Sequence, residues 1–363
     1  MSTEPPPSSQ SRRSEAGGLV VEVDQLQRWA TRILGELGVA EAAAETTAAS
    51  MVHANRRGLD SHGVVLLGVY VPRLRDGIIR GDAQPEIVHD RGALAVLEGH
   101  HALGAYAARI AIEWCCETAH RQGVAAAAVR NSSHFGAASF FSEFAARRGC
   151  IGVALTNSDP GMAPLGALAP ILGTNPLAIA APPSNGSIMP SLDIATSVVA
   201  QGRIVDASRA GSPIPEGWAM GTDGASTTDP DEALRNSVLP MAGHKGFGLA
   251  FMIDVLAACL TGARISPQLI AEEGVGHLMF AVDVAAVVGL DDYGRRLGLL
   301  IDAVHSAARA PGVSPFLIPG EREHAVAQQR AHGIPIDGPT RRLLDAVSAE
   351  CGVPELSGEE AEA

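Results

Sequence analysis

Asn131-Ser132-Ser133-His134-Phe135-Gly136-Ala137-Ala138 is followed by Thr156-Asn157-Ser158-Asp159-Pro160 and then by Leu172-Gly173-Thr174-Asn175-Pro176. These polar runs alternate with the apolar segments Val124 to Val129, Ile151 to Leu155 and Leu177 to Ala181. The pattern reads as strands whose ends carry polar loops, the arrangement in which a rigid scaffold presents chemistry. With Ala137 to Arg148 predicted as a helix between the first two strands, the segment is strand, loop, helix, strand, an α/β or α+β signature.

Upstream, Asp24 is the expected N-cap of a helix over 25–37, with Leu26, Trp29, Ile33 and Leu34 on one face and Gly38 ending it. A second helix is predicted over 40–54 and a third over 64–76, with Leu67, Tyr70, Val71 and Leu74 in register. Ser61 and His62 fall at the corner between them, where free N–H groups and the positive end of a helix dipole gather. Strands are expected near 86–88 and 93–97, and a helix over 104–122. Downstream, Leu192 to Ser197 reads as a short strand carrying Asp193, and 202–240 as loop-rich. Helices are predicted over 246–260, 295–309 and from Pro319 to about His332, with a strand over 280–288.

The 363 residues exceed what one core usually serves. Hydrophobic residues make up 46% and aromatics only 4%, which favours close packing of Ala and Gly over aromatic stacking. The net charge of −13 comes with no basic run beyond paired arginines, so neither nucleic acid nor an anionic membrane is an expected partner. Five cysteines without CxxC spacing read as reduced structural thiols of a cytoplasmic protein. Residues 1–18 are polar and rich in Pro and Ser, without a signal-peptide core, and read as a disordered tail. No uninterrupted apolar stretch reaches spanning length.

GxGxxG, P-loop, HExxH and GxSxG motifs are all missing, and no metal site is expected. What remains is a set of candidates for proton and cofactor chemistry. His62 follows Ser61 at a helix start; a capping Ser beside a packed His is the plainer reading. His134 lies in a strand-to-helix loop, where a backbone-bonded His is the plainer reading. Asp193 sits between apolar Leu192 and Ile194, and a carboxylate in such a place calls for a His or Ser partner. A carboxylate-oriented His is the usual proton carrier of hydride-transfer chemistry. Lys245, between Gly243 and Gly246 at a helix start, and the turn Pro319-Gly320-Glu321-Arg322 could each bind phosphate, although a solvated helix start accounts for either one alone.

Taken together, RGLDSHGV (57–64), VRNSSHFGAA (129–138), TNSDPGMAPLG (156–166), LGTNPLA (172–178), LDIATSVVAQGRI (192–204), LPMAGHKGFGLAFMIDVL (239–256) and IPGERE (318–323) resemble, in order, the malate/L-lactate dehydrogenase family of the non-Rossmann type. Ureidoglycolate and sulfolactate dehydrogenases, diketogulonate reductase and piperideine-2-carboxylate reductase belong to it. The resemblance implies an α/β fold with a large mixed sheet flanked by helices and a helical N-terminal region, which explains the absent glycine fingerprint. It implies NAD or NADP as cofactor and a homodimer whose active sites draw on both subunits. It places His62 and His134 in the substrate pocket and a relay on Ser61, His62 and Asp193. Cofactor contacts map onto His134, Phe135, Gly136, Ala137, Ser158, Asp193, Ile194, Ala195, Lys245, Gly320, Glu321 and Arg322. Tyr70, Asn175 and position 66 fall on the substrate side. The corresponding domains are 19–122, helical and substrate-side, packing with 295–350; a cofactor-binding sheet domain, 123–294; and a C-terminal tail, 351–363.

One position departs from the family. Members often carry Arg five residues after the Ser of SHG, able to grip a carboxylate with two hydrogen bonds. Here it is Leu66. Ala242 also stands where Gly is usual. The expected activity is interconversion of a 2-oxo acid, or related carbonyl, and its 2-hydroxy form. The alternatives are reduction of a cyclic imino acid (piperideine- or pyrroline-2-carboxylate) and a divergent relative with little redox turnover. Arg322 favours a 2′-phosphate and Glu321 disfavours one, so NAD and NADP both stand.

Overall fold

A computed structural model describes residues 17–164, 166–184, 188–269 and 273–360. The tail expected at 1–18 lies almost wholly outside them. In chain order the first elements are β1 (Leu19–Val21), α1 (Val23–Glu36), α2 (Glu41–Arg56) and α3 (Leu67–Arg75). In α1, Leu26, Trp29, Ala30, Ile33 and Leu34 recur at helical spacing and are buried. The cap is Glu22 rather than the expected Asp24: its carboxylate accepts from the N–H groups of Asp24 and Gln25 at 2.9 and 2.7 Å. Two short 3₁₀ turns, Asp60–His62 and Val64–Leu66, precede α3.

Next come β2 (Glu86–Asp90), β3 (Leu94–Glu98), α4 (Gly104–Gln122), β4 (Val124–Ser132), α5 (Ser139–Ala146), β5 (Cys150–Thr156), β6 (Leu177–Ala180) and β7 (Ser191–Ile194). They are followed by α6 (Gln201–Arg209), β8 (Ala219–Met220), β9 (Ser226–Thr227), α7 (Pro230–Leu234), β10 (Ser237–Val238), α8 (His244–Asp254) and β11 (Val275–Asp283). The last elements are α9 (Val284–Val287), α10 (Leu290–His305), α11 (Glu321–Gln329), β12 (Ile334–Ile336), α12 (Gly338–Cys351) and β13 (Glu359–Glu360).

Seven strands form one mixed sheet in the order β2-β3-β4-β11-β5-β6-β7. Only β3 and β4 run parallel, joined through α4 as a crossover; the other neighbours are antiparallel. The strand expected at 280–288 begins five residues earlier, because β11 is the central strand and pairs with both β4 and β5 along its length. It ends at Asp283, whose side chain accepts from the Ala285 N–H and starts α9. One sheet face, with Ala125, Ala127, Val129, Met279 and Ala281, packs on α4 and α5. The other, with Ala128, Leu155 and Leu278, packs against Ile253 and Ala257 of α8 and the wider helical turn that continues it. Small alanines on the strands let these helices approach closely.

β2, β3 and α4 thus belong to the sheet unit, although the sequence reading put them upstream of it. A second core gathers α1, α2, α3, α12 and the small sheet β12-β1-β13. Residues 351–360 are part of that core rather than a tail: Val353 and Leu356 are buried in it, and β13 pairs with β1. The 202–240 region folds around Ile204, Ile214 and Val238, with β8 flanked by β9 and β10.

Candidate active site

The polar loops of the sheet and the corner before α3 meet. Gly104 at the start of α4 lies so close to the strand end that a Cβ there would be 2.0 Å from the Ser133 carbonyl oxygen. The Ser133 hydroxyl accepts from the Gly104 N–H at 2.9 Å. This contact fixes the loop that carries His134. From across the interface, the Tyr70 hydroxyl of α3 is 2.9 Å from His134 Nδ1. The His62 ring lies 6.0 Å from the His134 ring, centre to centre. Ser61 Oγ is 3.0 Å from His62 Nδ1. Ser61, His62, Tyr70 and His134 therefore form one cluster.

Burial pushes the His134 imidazole down to about 3, with the charges of His62, Arg73 and His277 adding to the effect. His62 is lowered as well: burial acts first, and the Asp193 carboxylate pulls it back up. Tyr70 is buried and its hydroxyl is pushed up, so it stays protonated.

Asp193 does not hydrogen-bond a histidine as the relay required. Its Oδ2 accepts from the Ser139 N–H at 2.8 Å, at the N-terminus of α5, and it acts on His62 through its charge. Asn175 was expected against substrate but is fully buried; its Oδ1 accepts from the Ser158 N–H at 3.0 Å and its Nδ2 donates to the Ala250 carbonyl at 2.9 Å. It holds the Ser158 loop instead. The Phe135 side chain points into the core, stacked on His277 with ring centres 4.7 Å apart, so the side chain itself is not available to a ligand. Leu66 is half-buried against the N-terminal core.

The expected cofactor residues lie along one path. Gly136 takes φ +81° beside Ala137, and Ile194 and Ala195 continue from Asp193. Gly246 meets Thr196 so tightly that a Cβ would lie 2.5 Å from the Thr196 carbonyl oxygen, which brings exposed Lys245 and the N-terminus of α8 to that segment. Ala242 takes φ +48°, the left-handed region where glycine costs less. Gly320, at φ +96°, packs on Met189 and Ser191. It lines a cavity of about 480 Å³ with Arg57, Glu143, Arg147, Met189 and His324. Glu321 is engaged, pairing with His305 at 2.9 Å and accepting from the Ile318 N–H at 2.8 Å; Arg322 is exposed. Backbone N–H groups, a lysine at a helix N-terminus and glycine turns suit a dinucleotide's phosphates and ribose hydroxyls, and the buried Ser139 Oγ beside the HFGA loop has no partner among the described residues. These residues fit such a cofactor.

Three groups escaped the sequence reading. His277 is sealed between Thr156 and Ser132 at 2.8 and 2.9 Å, hidden within a strand. Glu143 is a buried hub for Arg57, Arg147 and Ser191 at 2.9, 3.0 and 2.8 Å. Arg73 follows Tyr70 by one helical turn and so shares its face, the one signal in the sequence that marks it.

Comparisons with known proteins identify the family. The family model described as malate/L-lactate dehydrogenase matches residues 21–345. The chain is 35% identical over 322 residues to a (2R)-3-sulfolactate dehydrogenase (NADP(+)) of Chromohalobacter salexigens, covering 87% of this chain and 94% of that one. It is 33% identical over 305 residues to a ureidoglycolate dehydrogenase (NAD(+)) of Escherichia coli O157:H7, covering 82% and 86%. The sulfolactate dehydrogenase structure from Methanocaldococcus jannaschii superposes with a TM-score of 0.85 at 34% identity, over 92% of this chain and 98% of that one. The shared fold, the family match along most of its length and these dehydrogenase relatives place the chain in the malate/L-lactate dehydrogenase family.

Proposed function

We propose that the protein interconverts a 2-oxo acid, or a related carbonyl compound, and its 2-hydroxy form, with NAD or NADP as redox partner. The observation that carries this reading is the His62, His134 and Tyr70 cluster beside the HFGA loop. A nicotinamide cofactor held there would supply the hydride for carbonyl reduction and accept it in alcohol oxidation. The HFGA loop, Ser158, the Asp193 to Ala195 segment, Lys245 and the Gly320 to Arg322 turn hold the dinucleotide.

Tyr70 occupies His134 Nδ1, which leaves Nε2 to donate to the substrate oxygen as the alkoxide forms. Two imidazolium ions 6.0 Å apart repel, so the pair carries one proton at a time. His62 holds that proton more readily, since Asp193 favours its charged form, and passes it on to His134. Ser61 fixes the His62 ring.

Steady-state oxidation of NADH and NADPH with a panel of 2-oxo acids tests the reading. His134→Gln should lower kcat by about 10²- to 10⁴-fold, the usual worth of a positioned acid–base group. His62→Asn should lower it less and flatten the fall in reductive rate with rising pH. A wild-type protein that oxidises neither nucleotide with any acid would overturn it.

The reading extends to a homodimer in the cytoplasm. The exposed side chains of Phe251, Met252 and Leu260 support the first. Free Cys115, Cys116 and Cys150 in the core support the second. No described helix is long and apolar enough to cross a membrane.

A further inference from the structure

The proton chemistry leaves a charged cluster on α3 unused. Arg73 lies three residues beyond Tyr70, about 4.5 Å along the helix and on the same side. Its guanidinium pairs through Nη1 with Glu273 Oε1, and Nη2 is 3.9 Å from Asp159 Oδ2. Asp159 directly follows Ser158, and Glu273 leads into β11. The Glu273 side chain is only 12% exposed, against 31% for Arg73 and 60% for Asp159. Arg264 Nε donates to the Glu273 carbonyl at 3.1 Å and holds that segment in place. The guanidinium thus sits where α3, the Ser158 loop and the approach to β11 converge.

Its charge reaches both Tyr70 and His134. Among the groups whose charge bears on His134, it is the only fixed cation; the others are histidines. The 3₁₀ turn that precedes α3 ends at Leu66, which packs against the N-terminal core and offers no charge. For a substrate held by its carbonyl oxygen at His134, the Arg73 guanidinium is therefore the fixed positive charge at hand.

We propose that Arg73 binds the acidic group of the substrate, and that Glu273 occupies that place when no substrate is bound. The inference rests on the dehydrogenase reading of the same site and narrows its substrate: an acid whose carboxylate or sulfonate lies on the Arg73 side of Tyr70. A guanidinium suits either anion, because its planar fork offers two parallel N–H donors. Glu273 presents the same chemistry from within the chain, so protein and substrate carboxylates compete for one partner. Asp159, looser and more exposed, stays beside the guanidinium in both states.

The competition makes a prediction that a merely structural ion pair does not. Removing Arg73 and removing the charge of Glu273 break the same pair but should move substrate affinity in opposite directions. With oxaloacetate and pyruvate as acids and ethyl pyruvate as the uncharged control, Arg73→Met should raise KM for the acids by about 10- to 100-fold and leave the ester within about twofold, the range expected for one charge-assisted hydrogen-bonded contact. Arg73→Lys should fall between. Glu273→Gln should lower KM for the acids. The proposal is overturned if both variants shift KM the same way, or if Arg73→Met weakens the ester as much as the acids. Should the wild type reduce none of the three, the dehydrogenase reading fails on its own account. Calorimetric binding of malonate then decides Arg73: loss in Arg73→Met with gain in Glu273→Gln upholds the anion site, and any other pattern, including no binding by the wild type, rejects it.

Discussion

Tyr70 reaches His134 across 64 positions of chain, and this one hydrogen bond occupies the Nδ1 of its ring. Tyr70→Phe keeps the buried ring and removes only the hydroxyl. The imidazole is then free to change tautomer and tilt, and Nδ1 is left without its partner. We expect kcat to fall about tenfold and unfolding stability to drop by about 1 kcal/mol, the net worth of one such bond. A variant with unchanged kcat would mean that Tyr70 only fills space. Part of this cluster was legible residue by residue: Ser61, His62 and His134 stood out by their neighbours, Tyr70 only as a helix-register position that the family resemblance put on the substrate side, and the fold brings the four together. Asp193 was legible as a carboxylate needing a partner, but not that the partner would be the N–H at the start of α5. Arg73 was not legible as functional, because helical periodicity tells which face a residue is on and not what stands opposite. Glu273 lies 200 positions away, and nothing local pairs the two.

At the scale of elements, α4 was read to the residue and α2 within two, since both have long periodic patterns. β1, β12 and β13 span only two or three residues and carry no period to read, and α12 was missed with them. β11 was displaced because Gly276 and His277 look like loop while Ala285 to Val288 look like strand; pairing on both edges overrides that local preference. The same strand controls acid stability. Burial holds His277 at about 3 in the folded protein, against an ordinary value of 6.5. Between those values the unfolded chain takes up a proton that the folded chain excludes. The stability from the neutral ring is fully present above 6.5 and is lost as pH falls toward 3, at about 1.4 kcal/mol per pH unit. His134 and His53 are shifted in the same direction and add to the slope. Denaturant unfolding of His277→Gln from about pH 6 to about pH 4 should show a pH slope smaller by one proton. An unchanged slope would mean that the buried ring already carries its proton.

At the scale of the molecule, the sheet order could not be read from the chain, since strands 120 or more residues apart become neighbours. A second subunit was implied only by the family resemblance, and the structure offers a surface on which to test it. Helix α8 begins at His244, carries Lys245 in its first turn, packs Ala250 and Ile253 inward, and turns Phe251 and Met252 outward at 52% and 50% exposure. Cys259 and Leu260, on the turn that continues the helix, are exposed as well. An apolar outward stripe on a helix that is already packed on its inner side calls for a partner. In a chain of net charge −13, a second copy must meet it through apolar contact rather than charge complementarity. The wild type should therefore sediment at twice the 37.4 kDa chain mass. Phe251→Glu with Met252→Glu should give a monomer with unchanged helical circular dichroism. Because the stripe and Lys245 share one helix, the monomer should also lose affinity for NADH or NADPH, read by nucleotide fluorescence. A wild-type monomer with full activity would refute the homodimer, and a double variant that stays dimeric would move the interface off α8.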